Sequence, residues 1–148
     1  MVIITGSYLE TQKIGYKLAK YIKPNSVILL DGDLATGKTT FTQGLAKGLG
    51  VNEQVNSPSF VIMKGYEGKD GPFFHLDLYR LDGIGYDFDL EEYYDDSVAV
   101  IEWPYQVKEL LPKEYLLIKF TRLSENERKL EFLPVGKKYI EVLQCIDL

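Results

Sequence analysis

Apolar positions along the chain fall into two rhythms. Val27-Ile28-Leu29-Leu30 is an unbroken apolar run that stops at Asp31-Gly32. A short run of this kind predicts a strand buried on both faces, over Ser26–Asp31. Val98 to Trp103 is a second run of the same type. Phe41, Leu45, Ala46 and Leu49 instead recur at helical spacing, predicting a helix over Thr39–Leu49 that Gly50 ends. An earlier helix opens at Thr11, follows Ile14, Leu18, Ala19 and Ile22, and stops at Pro24-Asn25-Ser26. Met1–Thr5 is short and β-branched, as a strand would be. Pro58–Tyr66 and Phe73–Tyr79 flank the turn residues Glu67-Gly68-Lys69-Asp70-Gly71, which predicts a hairpin. Residues 82–97 are acidic and rich in Gly and Tyr, reading as a loop with a short helix at Asp89–Tyr94. Tyr115–Arg122, Lys129–Leu133 and Tyr139–Val142 read as later strands. The mixture is α/β, with a central sheet part parallel and part antiparallel, flanked by helices.

Composition narrows the class. A chain of 148 residues, 45% hydrophobic and 26% charged, is expected to be a single domain with a real core. Seventeen basic against 22 acidic residues give a net charge of −5. That argues against a broad basic surface for nucleic acid and permits a partner with a basic face. The single cysteine, Cys145, cannot form an intramolecular disulfide, and a reduced cytoplasmic setting is expected. Residues 1–20 carry Glu10 and lack the apolar core of a secretory signal. No apolar run approaches the ~18 residues of a membrane span.

The loop between the first buried strand and the following helix carries the chemistry. Gly32-x-x-x-x-Gly37-Lys38-Thr39 is the P-loop signature, in the strand–loop–helix context it requires. A loop wrapping a phosphate chain must aim several backbone N–H groups inward, and Gly32 and Gly37 permit the dihedrals and the close approach. The helix beginning near Lys38 points its N-terminal donors and positive dipole end at the anion. Lys38 supplies a mobile cation for the β- and γ-phosphates, and Thr39 a hydroxyl for Mg²⁺.

Such a site needs a carboxylate at the end of a neighbouring buried strand. Glu102 closes the apolar run "VAVIE" and is the first candidate, since burial of an acid there calls for a cation nearby. Asp77, in "FFHLDLYRL", is the second. Strand alternation puts His75, Asp77 and Tyr79 on one face and Phe74, Leu76 and Leu78 on the other. Asp77 would hold metal-bound water or orient the attacking one; its alternative is a structural pairing with Arg80 or His75. His75 is the only histidine, which favours a structural hydrogen bond over a zinc-type site. Cys145 reads as a packed or surface thiol, and most of the eleven tyrosines as half-buried sheet residues.

"GDLATGKTTFTQGLAKGLG", "NSPSF", "HLDLYRL", "LEEY" and "IEWP", in that order, resemble the TsaE family (older name YjeE). The likeness runs from about Thr11 to Pro104; the last 44 residues match only in strand-rich character. The resemblance implies a P-loop domain that binds ATP or ADP with Mg²⁺ and hydrolyses ATP slowly. It implies docking on the TsaD–TsaB complex, where hydrolysis supports repeated formation of threonylcarbamoyladenosine in tRNA; tRNA is met only through that complex. By motif, Leu34, Ala35, Thr36, Gly37, Lys38, Thr39 and Thr40 would hold the phosphates. Thr39 and Glu102 would be the magnesium-side ligands and Asp77 the second acid. Trp103 would border the nucleotide, and Thr11 would contact its base region. Asn56 to Phe60 resembles a mobile loop responsive to the γ-phosphate, with Ser57 and Ser59 as sensing groups. Two departures stand out. The family's Gly-Ala before Gly-Lys-Thr is Ala35-Thr36 here, and Ala takes positive φ less cheaply than Gly. Asn56 replaces a threonine and Ser59 another, so only Ser59 keeps its hydroxyl.

Two other functions share these motifs. A small metabolite or nucleoside kinase would use the same loop and acids, but its arginine-bearing lid finds little material in Arg80, Arg122 and Arg128. A nucleotide-switched binding module would move the Ser57–Ser59 loop and the acidic 82–97 segment between docking states with little use of hydrolysis. The sequence shows no arginine finger beside the loop, which implies weak turnover unless a partner completes the site. Asp87–Asp96 is a candidate docking surface or a solvated loop.

Overall fold

The computed structural model describes residues 1–56, 63–78, 93–103 and 111–148. In chain order these form β1 (Val2–Thr5), α1 (Tyr8–Ala19), β2 (Ser26–Asp31), α2 (Lys38–Gly48), β3 (Met63–Gly68), β4 (Gly71–Asp77), β5 (Val98–Glu102), β6 (Tyr115–Arg122), β7 (Arg128–Val135) and α3 (Lys137–Cys145). The strands make one sheet in the order β1-β7-β6-β2-β5-β4-β3. β2 is parallel to both neighbours, β5 and β6, and β5 is parallel to β4. β3–β4, β6–β7 and β1–β7 pair antiparallel, so the sheet is mixed.

The unbroken apolar runs lie where both faces are covered. Val27 to Leu30 and all of β5 are buried. Ile28, Leu30 and Val100 meet Phe41, Leu45 and Leu18 of the helices, while Val27, Leu29, Ala99 and Ile101 join Leu76 and Leu78 on the other face. After β2 and α2 the chain reaches the edge strand β3, three places away, and returns through β4 to β5, and after β5 it crosses over β2 to β6 on the other side. The carboxyl ends of β2 and β5 therefore flank a crevice where the connections diverge, the usual place for a ligand in such sheets.

α1 and α2 pack closely and run the same way, Gln12 lying beside Gly44 and Tyr16 beside Gly48. A Cβ on Gly44 would lie 1.9 Å from the Gln12 carbonyl oxygen and one on Gly15 2.3 Å from that of Phe41. Only glycine permits this approach. It brings the first turn of α1 to the start of α2.

Two expected elements differ. The first helix begins at Tyr8, because Ser7 caps it by accepting from the Glu10 N–H at 3.2 Å. The expected strand at Tyr139–Val142 is instead part of α3. Gly136, at φ 109°, breaks β7 from the helix, and Tyr139, Val142, Leu143 and Ile146 then turn toward the core at helical spacing. The strand at Tyr115–Arg122 falls where the pattern put it, and the expected hairpin forms around a tighter turn, with Glu67, Gly68 and Gly71 paired within its strands. Residues 89–92 of the short helix expected at Asp89–Tyr94, the start of the strand expected from Pro58, Tyr79, and most of the acidic 82–97 segment lie outside the described residues.

Candidate nucleotide site

The loop from Gly32 to Gly37 joins the carboxyl end of β2 to the first turn of α2. A Cβ on Gly32 would lie 2.8 Å from both the Phe120 carbonyl and the Thr36 hydroxyl. Thr36 is buried and donates its hydroxyl to the Asp33 carbonyl at 2.7 Å, bracing the loop from inside. Leu34 is the exposed tip. Gly37 is left-handed at φ 103°, and α2 starts on it without a side-chain cap. The first N–H groups of α2, at Lys38, Thr39 and Thr40, therefore have no capping side chain to satisfy them, as an anion-binding helix start requires.

Lys38 is buried at the centre of the site. Its ammonium donates to the Gly32 carbonyl at 2.6 Å, lies 3.8 Å from Glu102 Oε1 and sits 4.1 Å above the ring of Trp103. Burial lowers its pKa, and Glu102, Asp77, Asp31 and Asp33 oppose that by favouring the charged form. Trp103 has φ 59°, a costly backbone state for an aromatic residue. That bend follows directly on Glu102, at the point where the ring meets Lys38.

Register brings the two acids together. Asp77 stands opposite Glu102 at the carboxyl ends of parallel β4 and β5, and Glu102 stands opposite Leu30 of β2. Both are buried. The alternation expected for β4 is observed, with Leu76 and Leu78 on one face and His75 and Asp77 on the other. His75 is fully buried, and its partner is Glu102, with Nε2 2.5 Å from Oε2. The Asp77–His75 alternative thus gives way to His75–Glu102, and Arg80 lies outside the described residues. Asn56 is described, but Ser57, Ser59 and Phe60 of the same segment are not.

Of the other expected residues, Thr11 is buried in the first turn of α1, bonded to the Thr5 hydroxyl at 2.7 Å. Its Cγ2 would lie 3.7 Å from a Cβ on Gly37, so it borders the loop's end. Thr39 and Thr40 are half-buried in the first turn of α2. Ala35, where the sequence departs from the family pattern, does adopt positive φ, at 62°.

One neighbour of the loop was missed. Cγ and Nε of Arg128 lie 3.8 and 3.9 Å from the same Gly37 Cβ position, so an arginine borders the loop's end. Its Nη1 donates to the carbonyls of Ser124, Glu125 and Glu127 at 2.9, 3.2 and 3.0 Å. No sequence signal marks it, because its place depends on the sheet order that sets β7 beside β6.

Comparison with known proteins adds to this geometry. The family model described as "Threonylcarbamoyl adenosine biosynthesis protein TsaE" matches residues 5–130, extending well beyond the Pro104 limit read from motifs. The Bacillus subtilis "tRNA threonylcarbamoyladenosine biosynthesis protein TsaE" is 42% identical over 131 residues, 88% of this chain and 83% of that protein. The protein of the same name from Treponema pallidum is 35% identical over 133 residues, 88% of this chain and 98% of that protein. The crystal structure of Bacillus subtilis YdiB aligns at a TM-score of 0.81 and 36% identity, covering 97% of this chain and 91% of that one.

Proposed function

Since this chain belongs to the TsaE family of threonylcarbamoyladenosine biosynthesis proteins, we propose that it is a slow Mg²⁺-dependent ATPase that docks on the TsaB–TsaD complex and supports repeated rounds of tRNA modification. The observation that carries the reading is one convergence. The P-loop lysine, Glu102 and Asp77 meet at the carboxyl ends of three adjacent parallel strands.

The residues present fit the nucleotide and the ion. The uncapped start of α2 and Lys38 suit a phosphate chain. Lys38 would exchange its Gly32 carbonyl for phosphate oxygens, adding anionic partners to Glu102 at a buried cation. Among the described residues no group of three or more His, Cys, Asp or Glu could hold a metal ion. Mg²⁺ is suited to such a place, since it is commonly held by one or two protein oxygens, phosphate and water. Thr39 and Glu102 would hold it, and when bound it would neutralise charge developing between the β- and γ-phosphates. Asp77, beside Glu102, would orient the attacking water and accept its proton. Thr11 and the stem of Arg128, at the far end of the loop, would border the nucleoside.

The test is multiple-turnover threonylcarbamoyl transfer to tRNA by TsaB–TsaD, with and without this protein. Stimulation by ATP and not by a non-hydrolysable analogue is the expected result. Equal stimulation by both would make the protein a nucleotide-switched module and demote Asp77 and Glu102 as hydrolytic groups. Stimulation by neither would overturn the reading.

A further inference from the structure

We propose that His75 is a positioning residue for Glu102, fixing one carboxylate oxygen so that the other faces Lys38 and the ion. The inference rests on Glu102 standing on the magnesium side, and it adds a residue to which no role in the reaction has been given. His75 is fully buried in β4, one strand away from Glu102 and on the same face of the sheet. An ionised carboxylate only accepts hydrogen bonds, so Nε2 of His75 carries the proton and donates it to Oε2 over 2.5 Å. Oε1 is left pointing to Lys38, 3.8 Å away. The two oxygens of one acid thus have separate duties.

The other ring nitrogen shows that packing alone does not explain the residue. Nδ1 is buried and has no hydrogen-bond partner among the described residues. An unsatisfied buried polar atom costs about 1–3 kcal/mol. Phe73, two residues earlier on the same face, fills its place without that cost. The imidazole is therefore explained by the one bond it makes. Holding a ligating carboxylate in a single orientation is how groups behind a metal site raise its affinity.

The experiment measures ADP affinity by calorimetry with and without MgCl₂, and takes the ratio of the two Kd values. A glutamine amide nitrogen reaches the place of Nε2, whereas an asparagine amide reaches only that of Nδ1. His75→Asn and His75→Phe are expected to cut the ratio about 10-fold or more, while His75→Gln keeps it. A merely structural role would weaken ADP binding equally with and without the metal and leave the ratio alone. A wild-type ratio in His75→Asn, or an equal loss in His75→Gln, would overturn the inference even if His75→Phe failed to fold. Glu102→Gln separates premise from inference. If it leaves the ratio unchanged, Glu102 is not on the metal side and both fall. If it lowers the ratio while His75→Asn does not, only the role of His75 falls.

Discussion

Ala35 holds φ 62° at an exposed position of the loop between Gly32 and Gly37. For a residue with a Cβ this conformation costs roughly 1–2 kcal/mol. Glycine would remove that cost and give back roughly 0.5–1 kcal/mol through its freer unfolded chain. Ala35→Gly should therefore stabilise the protein, by about 0.5–1 kcal/mol in urea unfolding; a loss of stability would show that the loop is unstrained. The strain was legible as a substitution in the motif, because Ala stands where the motif's pattern has Gly and takes positive φ less cheaply. The cap on α1 was legible too and went unread. Ser7-Tyr8-Leu9-Glu10 has capping-box spacing, and the Glu10 carboxylate returns to the Gly6 N–H. Only resemblance to the family singled out Trp103. Its left-handed φ and its stacking on Lys38 are not written in the dipeptide Glu102-Trp103.

The second helix is a poor helix by composition, with Gly44 and Gly48 inside it and β-branched threonines in its first turns. Read alone, those glycines are penalties. Against α1 they are requirements, because each sits on a backbone carbonyl of the other helix. Gly44→Ala would drive a methyl into the Gln12 carbonyl and should cost about 3 kcal/mol or more. Urea unfolding measures it, and a loss under ~1 kcal/mol would mean that the helices part easily. Parting them would also carry Thr11 away from the loop. The last helix teaches the reverse lesson. Tyr139-Ile140-Glu141-Val142 has strand-like composition, yet Tyr139, Val142, Leu143 and Ile146 also fit a helical face. Over so short a stretch both periods are satisfied, and the sheet behind it selects the helical one.

At the scale of the molecule, Tyr139 ties the C-terminal helix to the central strand. Its buried hydroxyl accepts the Val27 N–H at 2.9 Å across 112 residues of chain. Tyr139→Phe leaves that N–H unpaired and should cost about 1–3 kcal/mol. Burial raises the phenol's pKa above its ordinary 10.0, against the lowering effect of hydrogen bonds with Val27 and Ser26. The folded state therefore keeps a proton that the unfolded chain loses above 10.0. The stabilisation is complete below that pH and is lost as pH rises through the raised value. The stability gap between wild type and Tyr139→Phe should accordingly narrow in strongly alkaline buffer, followed by urea unfolding at each pH. A constant gap would refute the shift. The sequence by itself determined the two buried strands, the glycine-bounded loop after the first, the helix that follows it and the acids Asp77 and Glu102 at strand ends. Each is a local pattern in which a few neighbouring residues satisfy one physical demand. Tertiary structure alone decided that His75 pairs with Glu102 rather than Asp77, that Arg128 reaches the loop and that α3 is a helix. Those outcomes depend on strand order and register, which bring together residues separated by tens of positions, and no short window of sequence contains both partners.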